Sequence, residues 1–160
     1  MSKRTKPSGE DTLSRVELQL ALLLRRAERT SAARGARSGH SPALERSGYL
    51  LLLALSTEGP LGINALAERQ GLDASTVTRQ VVSLEKAGFA RRSRDPRDGR
   101  AVQVEATDEG RHQLEHERTR RSALYDEVLA HWSPLERALL AELLERLNQD
   151  LDAFRRATDE

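Results

Sequence analysis

Apolar residues recur at helical spacing along most of this chain and at alternate positions in one short segment. Leu13, Val16, Leu20, Leu23, Leu24 and Ala27 draw one stripe. They predict a helix over residues 12 to about 36, capped by Thr12 or Ser14, with Arg25, Arg26 and Arg29 on its other side. Residues 1–11 carry Lys3, Arg4, Lys6, Pro7 and Gly9 and read as a disordered tail. Residues 31–41 are small and polar, a frayed helix end and a loop that holds His40. Residues 42–57 form the most hydrophobic helix, apolar on most sides from Tyr49 to Leu55, which places it in the middle of a domain. Glu58, Gly59 and Pro60 break it, and residues 61–63 suit a short edge strand. A long helix follows later, over residues 107 to about 131, highly charged from Arg111 to Arg121 and apolar only from Leu124 onward. Ser133 then caps a last helix with Pro134 in first position and Glu136 at the capping-box position. Its stripe is wide: Leu135, Leu139, Leu140, Leu143, Leu144, Leu147, Leu151 and Phe154.

Between these helices lies the stretch that organises the rest, residues 66–110. Asn64 is placed to cap a short helix over residues 65–70. Gly71 stands where that helix must end, because glycine takes the left-handed conformation without steric cost. Asp73 can cap a second helix through the N–H of Ser75 or Thr76. Val77, Val81 and Leu84 mark the buried face of this second helix, with Leu66, Ala67 and Leu72 as partners. Small Ala67, then Gly71, then Val77 is the spacing of a helix-turn-helix, in which two helices cross closely.

The outer face of the second helix carries Ser75, Thr76, Thr78, Arg79 and Ser83. Short hydroxyls and an arginine suit base edges and phosphates in a major groove; the plain alternative is a solvated polar face. Gly88 ends this helix and Phe89 returns the chain to the core. Residues 90–94 and 101–106, the latter with Val102 and Val104, then flank a loop of Asp95, Pro96, Arg97, Asp98, Gly99 and Arg100. Proline and Asp-Gly in the loop predict a hairpin. An arginine held by a neighbouring carboxylate is preorganised to enter a narrow, negative minor groove. That points to Arg97, Asp98 and Arg100, with a salt-bridged surface turn as the alternative.

A helix-turn-helix followed by such a hairpin is a winged helix. The run L-x-x-x-G-x-x-x-R-x-x-D-P-R-D-G-R from Leu84 to Arg100, followed by Thr107, Asp108, Glu109 and Gly110, resembles the MarR family of bacterial transcription regulators. This chain has Gly99 where members often carry a second basic residue. The resemblance implies a homodimer that binds double-stranded DNA at an inverted repeat. It also implies a small phenolic or other organic acid as effector, in a crevice between the winged-helix lobe and the dimer helices. Tyr49 and the first-helix arginines, Arg25 among them, are the candidate contacts.

The expected fold is therefore mainly α with a small β-hairpin: a winged helix-turn-helix domain flanked by N- and C-terminal dimerisation helices. The divisions are a tail (1–11), an N-terminal dimerisation helix and loop (12–41), the DNA-binding domain (42–106) and the C-terminal dimerisation helices (107–160). The stripes of the first and last helices find no cover within the reading head, so packing both from two protomers into one interface is the simplest solution.

Net charge is only +1, so bulk charge says nothing of nucleic acid; distribution says more. Between Arg69 and Arg100 eight basic residues meet four acidic ones, whereas from Pro134 onward four basic meet seven acidic. The positive field is concentrated in the reading head. Without cysteine there is no disulfide, thiolate zinc site or thiol switch, which excludes the cysteine-based peroxide sensors of the resembled family. No apolar run reaches membrane-spanning length and the first residues are polar, so the cytoplasm is the expected compartment. His112 and His116 share a helix face at metal-ligand spacing, but a solvated face is the reading preferred, with no metal and no cofactor. Two other functional classes stand beside a DNA-binding repressor. A helical protein-interaction module would show a degraded wing, and this wing is intact; an enzyme would need a coherent catalytic set or a phosphate loop, and neither is present. Transcription activation by the same fold without ligand control stays open.

Overall fold

The computed structural model describes residues 9–35, 44, 46–94 and 101–158. These form α1 (Gly9–Gly35), α2 (Arg46–Glu58), α3 (Ile63–Gln70), α4 (Ala74–Lys86), β1 (Ala90–Arg94), β2 (Val102–Ala106), α5 (Asp108–Val128) and α6 (Pro134–Thr158). The fold is mainly α with one small hairpin, as the patterning predicts. The chain divides into two compact units, Met1–Glu45 and Arg46–Glu160. In the first, α1 begins at Gly9, three residues ahead of the expected start.

The second unit is built around α2. Leu51, Leu52 and Leu55 of that helix are fully buried, as are Leu66 of α3 and Val77, Val81 and Leu84 of α4. Phe89, Ala90, Val104 and Ala106 of the hairpin and Leu114 of α5 complete the core. β1 and β2 pair antiparallel, Ala90 with Ala106, Arg92 with Val104 and Arg94 with Val102. Small Ala90 and Ala106 lie at the buried end, and Val102 is exposed toward the wing. Leu72, expected in the core, is 39% exposed.

The expected edge strand over residues 61–63 shrinks to a single bridge: Leu61 and Val104 exchange N–H to carbonyl bonds of 2.9 and 2.8 Å. It stops there because α3 starts at once. Gly62, not Asn64, is the N-cap, in extended conformation and with no side-chain cap. Its carbonyl accepts from Leu66 N–H at 3.0 Å, so the burial of Leu66 fixes where the helix starts, and Asn64 is left exposed inside it.

The other caps follow local chemistry. Gly71 ends α3 in the left-handed region, φ 63°, and its N–H and that of Leu72 close the turn on Glu68 and Ala67 carbonyls. Ser133 and Glu136 form the reciprocal capping box of α6: Ser133 N–H donates to Glu136 Oε2 at 2.8 Å and Glu136 N–H to Ser133 Oγ at 3.3 Å. At the head of α5, Thr107 Oγ1 accepts from Gly110 N–H at 3.0 Å and donates to the Gly88 carbonyl at 2.7 Å. Thr107 N–H donates to the Phe89 carbonyl at 3.0 Å. The threonine–glycine pair therefore pins α5 to the base of the wing.

Beyond Leu114 and Glu117 the long helix leaves the core: Leu124, Tyr125 and Val128 are exposed. α6 buries no residue, and Leu135, Leu139, Leu143, Leu144, Leu151 and Phe154 are all exposed. Among the described residues no helix is long and apolar enough to cross a membrane.

Gly110 is packed directly against backbone. A Cβ there would stand 2.0 Å from the Phe89 carbonyl oxygen, a backbone atom that cannot swing aside. Gly110→Ala is expected to destabilise the domain by about 1–3 kcal/mol, as overpacking does. Chemical denaturation checks it, and a variant as stable as the parent would show that the α5–wing junction is looser than described.

Candidate nucleic-acid interface

α4 turns one face inward through Val77, Val81 and Leu84, which leaves the opposite face to solvent. Ser75, Thr78, Arg79 and Ser83 are exposed there and Thr76 is half-buried, so these five side chains share one surface beside the α3–α4 turn. Arg97, Asp98 and Arg100 of the wing lie outside the described residues.

Asp73 organises the front of α4. Its Oδ1 accepts from Thr76 N–H at 2.8 Å, the expected cap, and also from Ser75 Oγ at 2.5 Å. Its Oδ2 accepts from Thr76 Oγ1 at 2.7 Å. The Ser75 hydroxyl, then the Thr76 hydroxyl and N–H, hold this carboxyl well below the usual carboxylate range, so it is ionised near neutrality. Thr76 Oγ1 in turn accepts from Arg79 Nη2 at 3.0 Å. Thr78 Oγ1 donates to the Ala74 carbonyl at 2.7 Å.

A hydroxyl has one proton to give. Ser75, Thr76 and Thr78 give theirs within this turn and keep only lone pairs, one of which on Thr76 already receives Arg79. They suit acceptance from base amino groups better than donation to phosphate, a distinction that residue types alone do not carry. The donors left on this surface are then the N–H groups of Arg79 and the Ser83 hydroxyl.

Ion pairing thins the positive field. Arg69 grips Glu58 with Nε at 2.7–2.8 Å from both carboxylate oxygens, which ties α3 to α2. Arg91 pairs with Glu105 across the hairpin at 2.9 Å, and Arg92 reaches Glu85 of α4 at 3.3 Å. Among the described residues no carboxylate pairs with Arg79, Lys86 or Arg94 in this region. Arg94, at the open end of β1, is a cation that residue pattern alone does not single out; strand register, which sets Arg91 opposite Glu105, and packing against α4, which brings Arg92 to Glu85, reveal it.

Of the two expected effector contacts, Arg25 is exposed on α1, and Tyr49 is half-buried on α2. A cation that sequence reasoning missed, Arg121 of α5, lies over the Tyr49 ring, 4.1 Å from its centroid. Arg121 Nε is buried without a hydrogen bond, 3.8 Å from Glu117 Oε2. Glu117, only 2% exposed, is held by Arg120 at 2.6 Å. His112 and His116 are exposed, and among the described residues no three ligating side chains cluster around a metal position.

Comparison with known proteins gives this surface a context. A profile of the MarR family matches residues 44–102. The HTH-type transcriptional regulator YxaD of Bacillus subtilis is 35% identical over 141 residues, which are 88% of this chain and 96% of YxaD. A probable transcriptional regulator from Pseudomonas aeruginosa superposes with a TM-score of 0.64 at 32% identity, over 82% of this chain and 98% of that one. BpsR of Bordetella bronchiseptica, whose DNA binding is regulated by 6-hydroxynicotinic acid, superposes with a TM-score of 0.61 at 25% identity, over 81% of this chain and 98% of that one.

The Asp73 network is open to direct measurement. Because the folded carboxyl titrates below the unfolded one, its contribution to stability is present above the unfolded value and is lost as pH falls through the folded value. An NMR titration of the Asp73 side-chain carbon is expected to give a midpoint below about 3.9, the ordinary aspartate value. A midpoint at that ordinary value would mean that the three hydrogen bonds do not persist in solution.

Proposed function

The chain belongs to the MarR family and is a DNA-binding transcription regulator, and from that premise we propose that it works as a homodimeric repressor released from its operator by a small organic ligand. The observation that carries the dimer is α6, a 25-residue helix whose apolar side chains are exposed. Burying a leucine is worth about 1.5–3 kcal/mol, so a second copy laid against this face gains several such terms. In this reading residues 12–41 and 107–160 supply the dimerisation helices and residues 42–106 the DNA-binding domain, acting in the cytoplasm where the DNA is.

Two-fold symmetry puts one α4 in each of two successive major grooves, about 34 Å apart, so the operator is an inverted repeat with half-site centres about one turn apart. Ser75, Thr76, Thr78, Arg79 and Ser83 face the bases. Arg97 and Arg100, with Asp98 to orient them, enter the flanking minor groove, and Arg94 meets the phosphate backbone at the root of the wing.

Release follows from linkage. A ligand that binds better to a dimer whose heads are wrongly spaced draws the population away from DNA. Regulation of BpsR by 6-hydroxynicotinic acid supports an aromatic acid as the effector class. Tyr49 offers such a ligand a ring face, and Arg121 beside it offers a cation for its carboxylate. Arg25 of α1 is a separate candidate for the same charge.

Selection of bound duplexes from a randomised pool is expected to return an inverted repeat. On that duplex Arg79→Ala and Arg100→Ala each cost about 1–3 kcal/mol of specific affinity, and binding by the parent falls steeply with salt. Gel shifts in which either variant binds with parental affinity would remove that residue from the interface, and recovery of no palindrome would remove the dimeric reading of the operator.

A further inference from the structure

The chain of hydrogen bonds that runs along the front of α4 has a direction. Asp73 is acceptor only, Thr76 Oγ1 spends its single proton on Asp73 Oδ2, and the lone pairs left on that oxygen receive Arg79 Nη2. The carboxylate therefore decides which way the Thr76 hydroxyl points, and the hydroxyl decides where Arg79 rests. An exposed arginine otherwise samples many rotamers and loses that freedom when it docks. Arg79 has no carboxylate partner among the described residues, so this bond to Thr76 is what orders it. Ser75 Oγ and Thr76 N–H occupy Asp73 Oδ1, and this fixes the carboxylate plane from its other side.

We propose that Asp73 is a positioning residue for base readout: through Thr76 it holds Arg79 in the orientation that α4 presents to the major groove. Discrimination at the base pair met by Arg79 then depends on a carboxylate that itself contacts no base. The proposal rests on the reading of α4 as the recognition helix and adds to it a residue behind the contact surface.

Asp73→Asn isolates the relay from the cap. Asparagine is as good an N-cap as aspartate, so α4 keeps its start. Its amide can offer an oxygen to Thr76 N–H or to the Thr76 hydroxyl, but not one oxygen to each. With the oxygen on the N–H, the NH2 donates into the Thr76 hydroxyl and competes with Arg79 for its lone pairs.

The test uses the full-length protein and a pool of duplexes randomised in their centre, with the bound fraction sequenced and the thermal midpoint of each variant recorded. Arg79→Ala is expected to flatten the preference at one base pair in each half-site. Asp73→Asn is expected to lower the preference at that same pair by about tenfold, a loss the size of a misplaced bidentate contact, and to leave the other positions as they were; Thr76→Val lowers the preference at that pair as well, together with any preference that Thr76 itself carries. Thr76→Ser, which keeps the hydroxyl, retains the preference, and Asp73→Asn adds nothing in an Arg79→Ala background. If Arg79→Ala flattens one position while Asp73→Asn keeps full preference there, the relay is wrong and the recognition helix stands. The relay is equally wrong if Asp73→Asn weakens every position alike or lowers the thermal midpoint in proportion. If Arg79→Ala leaves every preference intact, the reading of α4 falls and the relay with it.

Discussion

α6 runs for 25 residues without burying a side chain, and six of its large apolar residues face solvent. Helices in proteins owe most of their stability to packing an apolar face, so this one needs a surface that its own chain does not supply. In the proposed homodimer a second copy would supply it and, by symmetry, would also set the distance between the two reading heads. The operator spacing and the ligand control proposed above both rest on that one geometric demand.

The hairpin and α5 are held together by local bonds. Thr107 bonds to Gly110 N–H, the Gly88 carbonyl and the Phe89 carbonyl, and Gly110 lets α5 lie directly against the wing base. In the proposed dimer, a helix fixed at this junction would carry a change in spacing to the whole head. Arg121, which lies over Tyr49, and the buried Glu117 sit along the same helix, where the proposed ligand would act on it.

Much of this was legible along the chain, and what was legible was local. As caps, Gly71, Asp73, Thr107 and the Ser133–Glu136 box act within three or four residues of themselves, and each stands where spacing puts it. The buried trio of Val77, Val81 and Leu84 needs only the helical period. Asn64 misled because capping preference is weaker than the joint pull of the Leu61 bridge and the burial of Leu66, which start α3 at Ile63. The candidate site was less readable. Five polar residues on one face of α4 can be counted from the sequence. That three of their hydroxyl protons are already spent cannot, because it depends on rotamers. Likewise the run of arginines in β1 reads as one positive patch until register sets Arg91 on Glu105 and packing sets Arg92 on Glu85 of α4, which leaves Arg94 without a carboxylate among the described residues.

The mass of the protein in solution tests the central demand most directly. Sedimentation at micromolar concentration is expected to give a single species of twice 17.8 kDa that withstands dilution through the range used for DNA binding. A stable species of 17.8 kDa would mean that α6 keeps its apolar face in water, and an account built on paired heads could not survive it.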